Sequence, residues 1–87
     1  MDVGSKTYDG VRFSAWVDDH IPPHVHGFYA GIEVVLDIDL KTKDVQLSRR
    51  RNNVLPANAK RSDVQRVRRA AVKNVDELVQ LWRGARG

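Results

Sequence analysis

The sequence predicts an α+β fold: a three- to four-stranded, mainly antiparallel sheet followed by one or two C-terminal helices packed on one face. Two patterns carry this prediction. Between residues 11 and 48, apolar and polar side chains alternate with a period of two, which is typical of strands. Between residues 62 and 83, apolar side chains recur three and four residues apart, which is typical of an amphipathic helix. Strands grouped before helices indicate an α+β layer.

The first predicted strand covers residues 11–17, and the polar segment before it, residues 1–10, is rich in turn-forming residues. We therefore expect residues 1–10 to be flexible and residues 11–84 to form a single domain. In the strand, Phe13 lies on the apolar face and Trp16 on the opposite face. An aromatic residue on that opposite face indicates that it is also partly covered.

The clearest strand signal covers residues 32–40, and a tight turn at Gly31 pairs it with a strand at residues 25–30. One face of the stretch 32–40 is apolar: Ile32, Val34, Leu36, Ile38 and Leu40. The other face carries three carboxylates: Glu33, Asp37 and Asp39. Either these acids are solvated, or Asp37 or Asp39 lies across the hairpin from a histidine of the preceding strand.

A short fourth strand at residues 45–48 precedes the helical region. That region opens with a capping-box pattern, in which Ser62 is the N-cap and Gln65 follows three residues later. Its apolar stripe consists of Val64, Val67, Ala71, Val75, Leu78 and Trp82. We expect this stripe to cover the apolar face of the sheet. Asn74, followed by acids, resembles a second N-cap, so the sequence favours two helices that meet there over one bent helix.

The chain has 87 residues, no cysteine and a formal net charge of +4. Without cysteine, a disulfide framework and a thiolate metal site are excluded, and we expect a cytoplasmic location. No apolar run approaches the length of a membrane span, so no membrane association is expected. A core this small favours an additional partner, and a homo-oligomer is one way to supply it.

Charge is divided unevenly along the chain. Residues 1–48 contain four basic and eight acidic residues, whereas residues 49–73 contain nine basic residues and a single acid, Asp63. Such a basic segment is expected to bind phosphates, and therefore nucleic acid, or an acidic partner protein. The candidate binding residues are Arg49, Arg50, Arg51, Lys60, Arg61, Arg66 and Arg69.

Chemically useful side chains concentrate in residues 19–26, DHIPPHVH, which contain all three histidines of the chain. The two adjacent prolines restrict the backbone and favour an extended conformation before them. If strand geometry follows, His24 and His26 point to the same face, because side chains alternate along a strand. We therefore predict that these two imidazoles and that of His20 approach one another.

Three interpretations of this cluster remain open. In a catalytic site without metal or cofactor, the imidazoles supply an acid and a base, and Asp19 or Asp39 bonds one ring. In a metal centre, the three histidines hold a divalent ion and water takes the fourth position. In a structural turn, the rings bond backbone carbonyls and brace the strand. The candidate catalytic residues are His20, His24, His26 and Asp19; the candidate metal ligands are His20, His24 and His26.

The string DHIPPHVH, followed by GFYAG and an alternating strand, resembles a widespread family of small bacterial proteins known only as a domain of unknown function. Its members carry Asp-His-x-Pro-Pro-His-x-His near the N-terminus and end in a helix with a tryptophan. In this chain those positions are Asp19, His20, Pro22, Pro23, His24, His26 and Trp82. The resemblance covers residues 11–83. Members are often encoded beside a second small domain in what look like toxin–antitoxin modules, which implies a toxin-like role and a cognate antitoxin-like partner.

We therefore expect a toxin–antitoxin component, toxin-like, that acts on or binds RNA through the histidines and the basic residues. RNA cleavage without metal needs a base for the 2′-hydroxyl, an acid for the leaving group and cations for the phosphate. His24 and His26 would share the acid and base roles, and the arginines of residues 49–51 would neutralise phosphate if the fold brings them near. The alternatives are a non-enzymatic module that binds a partner or DNA, and a small metal-binding protein.

Overall fold

The structure is a computed structural model that describes residues 2–16 and 23–86. Within these ranges six strands precede two helices, so the α+β class is confirmed and the number of strands is larger than predicted. The strands are β1 (Asp2–Tyr8), β2 (Val11–Trp16), β3 (His24–Tyr29), β4 (Ile32–Ile38), β5 (Val45–Leu47) and β6 (Val54–Leu55). The helices are α1 (Arg61–Lys73) and α2 (Val75–Arg86). Neither described helix is long and apolar enough to cross a membrane.

The sheet is an antiparallel meander in the order β1-β2-β3-β4-β5, and β6 pairs with β4 beside β5. Two-residue turns join β1 to β2 and β3 to β4. Asp9 and Gly10 form the first turn, Ala30 and Gly31 the second, and all four have positive φ. Positive φ at both central residues is the pattern of a type I′ turn, whose twist suits a hairpin. The hairpin predicted at Gly31 is confirmed by the pairing of β3 with β4.

The larger strand count comes mainly from β1, which lies in the segment for which the sequence predicts flexible chain. β1 is an edge strand, and it pairs with β2 from Tyr8 opposite Val11 back to Asp2 opposite Trp16. Ser5, Lys6 and Thr7 are exposed. A strand whose side chains are mostly solvated lacks apolar alternation, and its backbone hydrogen bonds leave no signal in the side-chain pattern.

The helices cover one face of the sheet, as the apolar stripe predicts. α1 packs on β3, β4 and β5, whereas α2 packs on β1 and β2 and also contacts β3. The sheet contributes Val11, Phe13, Ala15, Val25, Ile32, Val34, Leu36, Ile38 and Val45 to the core. The helices contribute Val64, Val67, Ala70, Ala71, Leu78, Val79, Trp82 and Ala85. This packing leaves the opposite face of the sheet for the polar side chains.

The helix boundaries differ from the predicted caps in one respect. α1 begins at Arg61 after Lys60, whose side chain makes no capping hydrogen bond, and Ser62 lies inside the first turn. The predicted Ser62 cap is therefore wrong, because the Lys60 carbonyl already accepts the amides of Asp63 and Val64. The predicted division into two helices at Asn74 is confirmed.

The junction of the two helices is tied to the first hairpin turn. The Asn74 side-chain amide donates to the Ala70 carbonyl at 2.8 Å and to the Asp9 carboxylate at 2.9 Å. The Arg66 guanidinium donates to the Asp9 carbonyl at 3.3 Å, and the Lys73 ammonium lies 3.5 Å from the Asp9 carboxylate. These contacts hold the helical layer in register over the β1–β2 end of the sheet.

Gly27 is the point of closest approach between α1 and the sheet. A Cβ atom at this position would lie 2.5 Å from Cγ1 of Val67 and 3.1 Å from the Phe13 ring. Valine in a helix is held in one rotamer, so its methyl group cannot move aside easily. Only a glycine therefore lets α1 lie this close to β3.

We predict that Gly27→Ala destabilises the protein by about 1–3 kcal/mol, the usual cost of overpacking a core. The matched control is Gly84→Ala, because Gly84 lies in α2 and a Cβ there meets no atom within 4 Å. That control is expected to hold or raise stability, since alanine is the better helix former. Thermal or urea unfolding of the two variants measures the difference, and equal midpoints would show that α1 does not depend on Gly27.

Candidate functional site

The polar side chains line the sheet face that points away from the helices, which we call the histidine face. Paired residues of antiparallel strands share a face, so the strand register arranges this face in rows. The first row is Thr7, Arg12, Phe28 and Glu33; the second is Ser5, Ser14, His26 and Val35; the third is His24, Asp37 and Gln46. Ser14, His24 and Val35 are buried, so the middle of this face is covered rather than solvated.

Two of the three predicted histidines meet on this face. His24 and His26 are two residues apart in β3, and their ring centroids lie 5.6 Å apart with an interplanar angle of 62°. His24 is 2% exposed, whereas the His26 side chain is 17% exposed. Asp19 and His20 lie outside the described residues, so the predicted approach of His20 stays a prediction.

A carboxylate bonds one ring, and it belongs to Glu33. His26 Nδ1 lies 2.7 Å from Glu33 Oε2, and the Glu33 side chain is 30% exposed. Because His26 is paired with Val35, Glu33 is its diagonal neighbour across the β3–β4 hairpin. An ionised carboxylate only accepts hydrogen bonds, so this contact favours a His26 ring that donates from Nδ1 and leaves Nε2 as its second nitrogen.

Asp39, one of the two acids predicted to bond a ring, bonds the backbone of the following turn instead, and the other acid, Asp19, lies outside the described residues, so the prediction for Asp19 stays open. β4 ends at Ile38, and Asp39 begins the following turn. Its carboxylate accepts the backbone N–H of Lys41 at 2.8 Å and of Thr42 at 3.1 Å. The N–H groups of Thr42 and Lys41 hold the pKa of this carboxyl below its ordinary value. Asp37 does lie opposite His24 in the register, as the alternative interpretation of the acids anticipates.

An arginine reaches the second ring. Arg50 Nη2 lies 3.5 Å from His24 Nδ1, the long end of the hydrogen-bond range. A guanidinium can only donate, so His24 accepts at Nδ1 and carries its proton on Nε2. These two contacts therefore favour opposite neutral tautomers, with the proton on Nδ1 of His26 and on Nε2 of His24.

The loop that carries Arg50 is placed by the edge of the sheet. β5 and β6 pair with the same edge of β4, and residues 48–53 leave the edge between them. The backbone of Val35 bonds both ends of this loop. Its carbonyl accepts the Ser48 amide at 2.9 Å, and its amide donates to the Asn53 carbonyl at 2.8 Å. The Asn53 side chain adds a bond to the Ser48 carbonyl at 2.7 Å. We call residues 48–53 the basic loop.

The predicted basic residues do not form one surface. Arg49, Arg50 and Arg51 are exposed in the basic loop, beside the histidine face. The other four belong to the helical layer or its start: Lys60, Arg61, Arg66 and Arg69. All four are exposed. The Arg66 guanidinium lies 5.2 Å from the Tyr29 ring centre and also bonds the Asp9 carbonyl, so it contacts the turn ends of two hairpins. Of these seven residues, Arg50 is the one with a contact to a described histidine, His24.

Ser14 is a polar residue of this face that no motif in the sequence indicates. It is fully buried, it is the paired neighbour of His26, and its hydroxyl oxygen has no hydrogen-bond partner among the described residues. Serine, histidine and glutamate in this order resemble a nucleophilic triad. A hydroxyl with no exposed surface does not meet a substrate, however, so Ser14 is not the nucleophile of this arrangement.

Within residues 2–16 and 23–86, no group of three or more His, Asp or Glu side chains is placed to hold a metal ion. The His20, His24 and His26 alternative includes one residue outside those ranges, so it is not tested. The arrangement that the described residues do form is a carboxylate-bonded imidazole that is 17% exposed, next to a buried imidazole and a guanidinium. It can transfer a proton at His26 and attract an anion at Arg50.

Comparison with known proteins identifies one family. A family model described as "Domain of unknown function (DUF4160)" matches residues 10–83, which includes every residue of the histidine face from β2 onward. Comparison with curated proteins and with solved structures gives no match.

The opposite tautomers give a direct test of the site geometry. At a pH where both rings are neutral, side-chain ¹⁵N NMR is expected to show the proton on Nδ1 of His26 and on Nε2 of His24. Glu33→Ala should redistribute the His26 proton without moving that of His24, whereas Glu33→Gln, which keeps an acceptor oxygen, should preserve it. Arg50→Ala should affect His24 alone. The same tautomer on both rings of the unaltered protein would contradict these contacts.

Proposed function

The chain belongs to the family described as "Domain of unknown function (DUF4160)", and we propose that it is a toxin-like component of a toxin–antitoxin module that binds RNA and cleaves its backbone at the histidine face. One observation carries this proposal: the basic loop places Arg50 3.5 Å from His24, while the adjacent His26 is bonded by Glu33 at 2.7 Å. A phosphate-binding cation and a proton-transfer group thus lie side by side.

His26 is the proton-transfer residue in this proposal. Its Nε2 takes the proton of a ribose 2′-hydroxyl, the 2′-oxygen attacks phosphorus, and the 5′-oxygen leaves with a proton from the imidazolium or from water. The products are a 2′,3′-cyclic phosphate and a 5′-hydroxyl. Glu33 keeps the ring in the tautomer that this step needs. A positioned acid or base of this kind contributes roughly 10²–10⁴-fold to the rate.

Arg50 supplies the charge that the reaction needs at phosphorus. Its planar guanidinium donates several hydrogen bonds to phosphate oxygens, and stabilisation of developing charge is a large catalytic term. Arg49 and Arg51, exposed beside it, strengthen the attraction for the RNA backbone. His24 is 2% exposed, so we assign it a positioning role toward Arg50 rather than the shared acid–base role that the sequence suggests.

The same burial supports a second candidate function. With His24 covered, the described part of this face presents one partly exposed imidazole, that of His26, which also suits a module that binds RNA or an acidic partner without cleaving. In a toxin–antitoxin pair, an acidic antitoxin-like protein would cover the basic loop and block RNA. Both functions share the phosphate-binding loop and differ only in whether His26 performs chemistry.

Cleavage of a fluorescently labelled single-stranded RNA tests the proposal. The purified protein should produce 2′,3′-cyclic phosphate ends with and without chelator, and should not cleave an oligonucleotide whose 2′-hydroxyls are methylated. His26→Gln is expected to lower the rate roughly 10²–10⁴-fold, and Arg50→Ala roughly 10²–10³-fold. Arg83→Ala, an exposed arginine on α2 in the opposite layer, is the control and should keep full activity.

Equal cleavage by every variant would identify a contaminating nuclease and contradict the proposal. RNA binding that depends on Arg50 and on salt, without cleavage, would establish the second function instead. No binding and no cleavage would remove both.

A further inference from the structure

In the row next to His26, a guanidinium lies over an aromatic ring. The guanidinium carbon of Arg12 lies 4.2 Å from the centre of the Phe28 ring. Arg12 is exposed and Phe28 is half-buried, and the two are paired neighbours in β2 and β3. A guanidinium lying on an aromatic ring offers its outer planar face, which carries positive charge, to another π system.

The same row continues into a surface pocket. Glu33 is paired with Phe28 on one side and with Leu55 on the other, so all three side chains point outward together. Leu55 is 43% exposed, so this large apolar side chain lies at the surface. Phe28, Glu33, Leu55 and Pro56 line a pocket of about 440 Å³, the size of a small-ligand site.

We propose that this row, which consists of Arg12, Phe28, Glu33 and Leu55, is a subsite for an unpaired RNA base adjacent to the cleaved phosphate. This inference rests on the proposed function, and it names the substrate as single-stranded RNA. The base stacks on the Arg12–Phe28 platform, with its edge toward the pocket beside Glu33.

The order of groups along β3 matches the order of groups in a nucleotide. His24 with Arg50 comes first, His26 with Glu33 second and Phe28 with Arg12 third. Each step is two residues, or about 7 Å along the strand backbone. A phosphate at Arg50 and a 2′-hydroxyl at His26 therefore leave the base at Phe28.

The chemistry of the platform favours single strands. Every base has a π face, so stacking on an aromatic residue or on arginine binds RNA without sequence readout. In a duplex that face is occupied by the neighbouring base pairs, and sequence-tolerant stacking is typical of unpaired RNA. Glu33 and Asp37 lie on the same face, and their negative charges repel phosphate. RNA is therefore restricted to a narrow path across this face.

Binding without cleavage tests the subsite separately from the reaction. All proteins carry His26→Gln, and the probe is a labelled decamer of single-stranded RNA, measured by fluorescence anisotropy. Phe28→Ala is expected to weaken binding roughly 5- to 100-fold, the range for loss of one stacked base. Phe28→Tyr should bind like the parent, and Arg12→Lys, which keeps the charge but loses the plane, should weaken binding. Val72→Ala, at an exposed apolar residue of α1, is the control and should leave affinity unchanged.

A second probe distinguishes stacking from a folding defect. With an abasic ribose-phosphate oligomer of the same length, Phe28→Ala should have no effect, because no base is present to stack. Phe28→Leu replaces Phe28→Ala if thermal melting shows that the alanine variant is unfolded. Equal affinity of the parent and the non-aromatic variants for the decamer overturns the subsite while leaving cleavage intact. If the His26→Gln parent binds no RNA, the subsite and the proposed function are both overturned. If binding depends on Phe28 but the unaltered protein does not cleave RNA, the base-binding subsite is upheld and the cleavage reaction is not.

Discussion

The contact between α1 and Gly27 fixes the orientation of every side chain in β3. A helix lies directly on the backbone of this strand because no Cβ stands between Val67 and the sheet. Side chains alternate along a strand, so burying the Gly27 side sends His26 and Phe28 to the other side. A slip of one residue would place both in the helical core and empty the histidine face. The packing of the core therefore decides the composition of the site.

The period-two pattern was sufficient to place β4 and to put His24 and His26 on one face, because those inferences need only local geometry. It could not choose between Glu33 and Asp39 as the partner of a ring. That choice depends on the register, which pairs His26 with Val35 and brings its diagonal neighbour Glu33 within reach. Asp39 lies beyond the end of β4, where the turn uses its carboxylate.

Two further features were harder to read from the sequence, for different reasons. β1 lacks apolar alternation, but the Asp9-Gly10 dipeptide that follows it is a strong hairpin signal and could have revealed it. The contact between Arg50 and His24 joins residues 26 positions apart in sequence. This contact depends on the pairing of β5 and β6 with the same edge of β4, and no local sequence pattern predicts that pairing. Pairing of distant elements is the information that a single sequence expresses least directly.

The distribution of charge on the histidine face favours RNA binding at particular positions and not over the whole surface. The basic loop lies beside one end of a face that also carries Glu33 and Asp37, and Arg12 supplies a single cation at the Phe28 end. Farther along β3 the contacts become a bonded imidazole and then an aromatic platform. A surface graded in this way can orient a strand as well as hold it, which a uniformly basic patch does not do.

The central claim is that RNA binds on the histidine face, and NMR titration with a 2′-O-methylated, uncleavable RNA tests it most directly. Backbone amide signals of β3, β4 and the basic loop are expected to shift together and to saturate at one stoichiometry, while those of α1 and α2 stay in place. Shifts concentrated at Arg69 and the exposed side of α1, with β3 unaffected, would contradict the account and assign RNA binding to the helical layer.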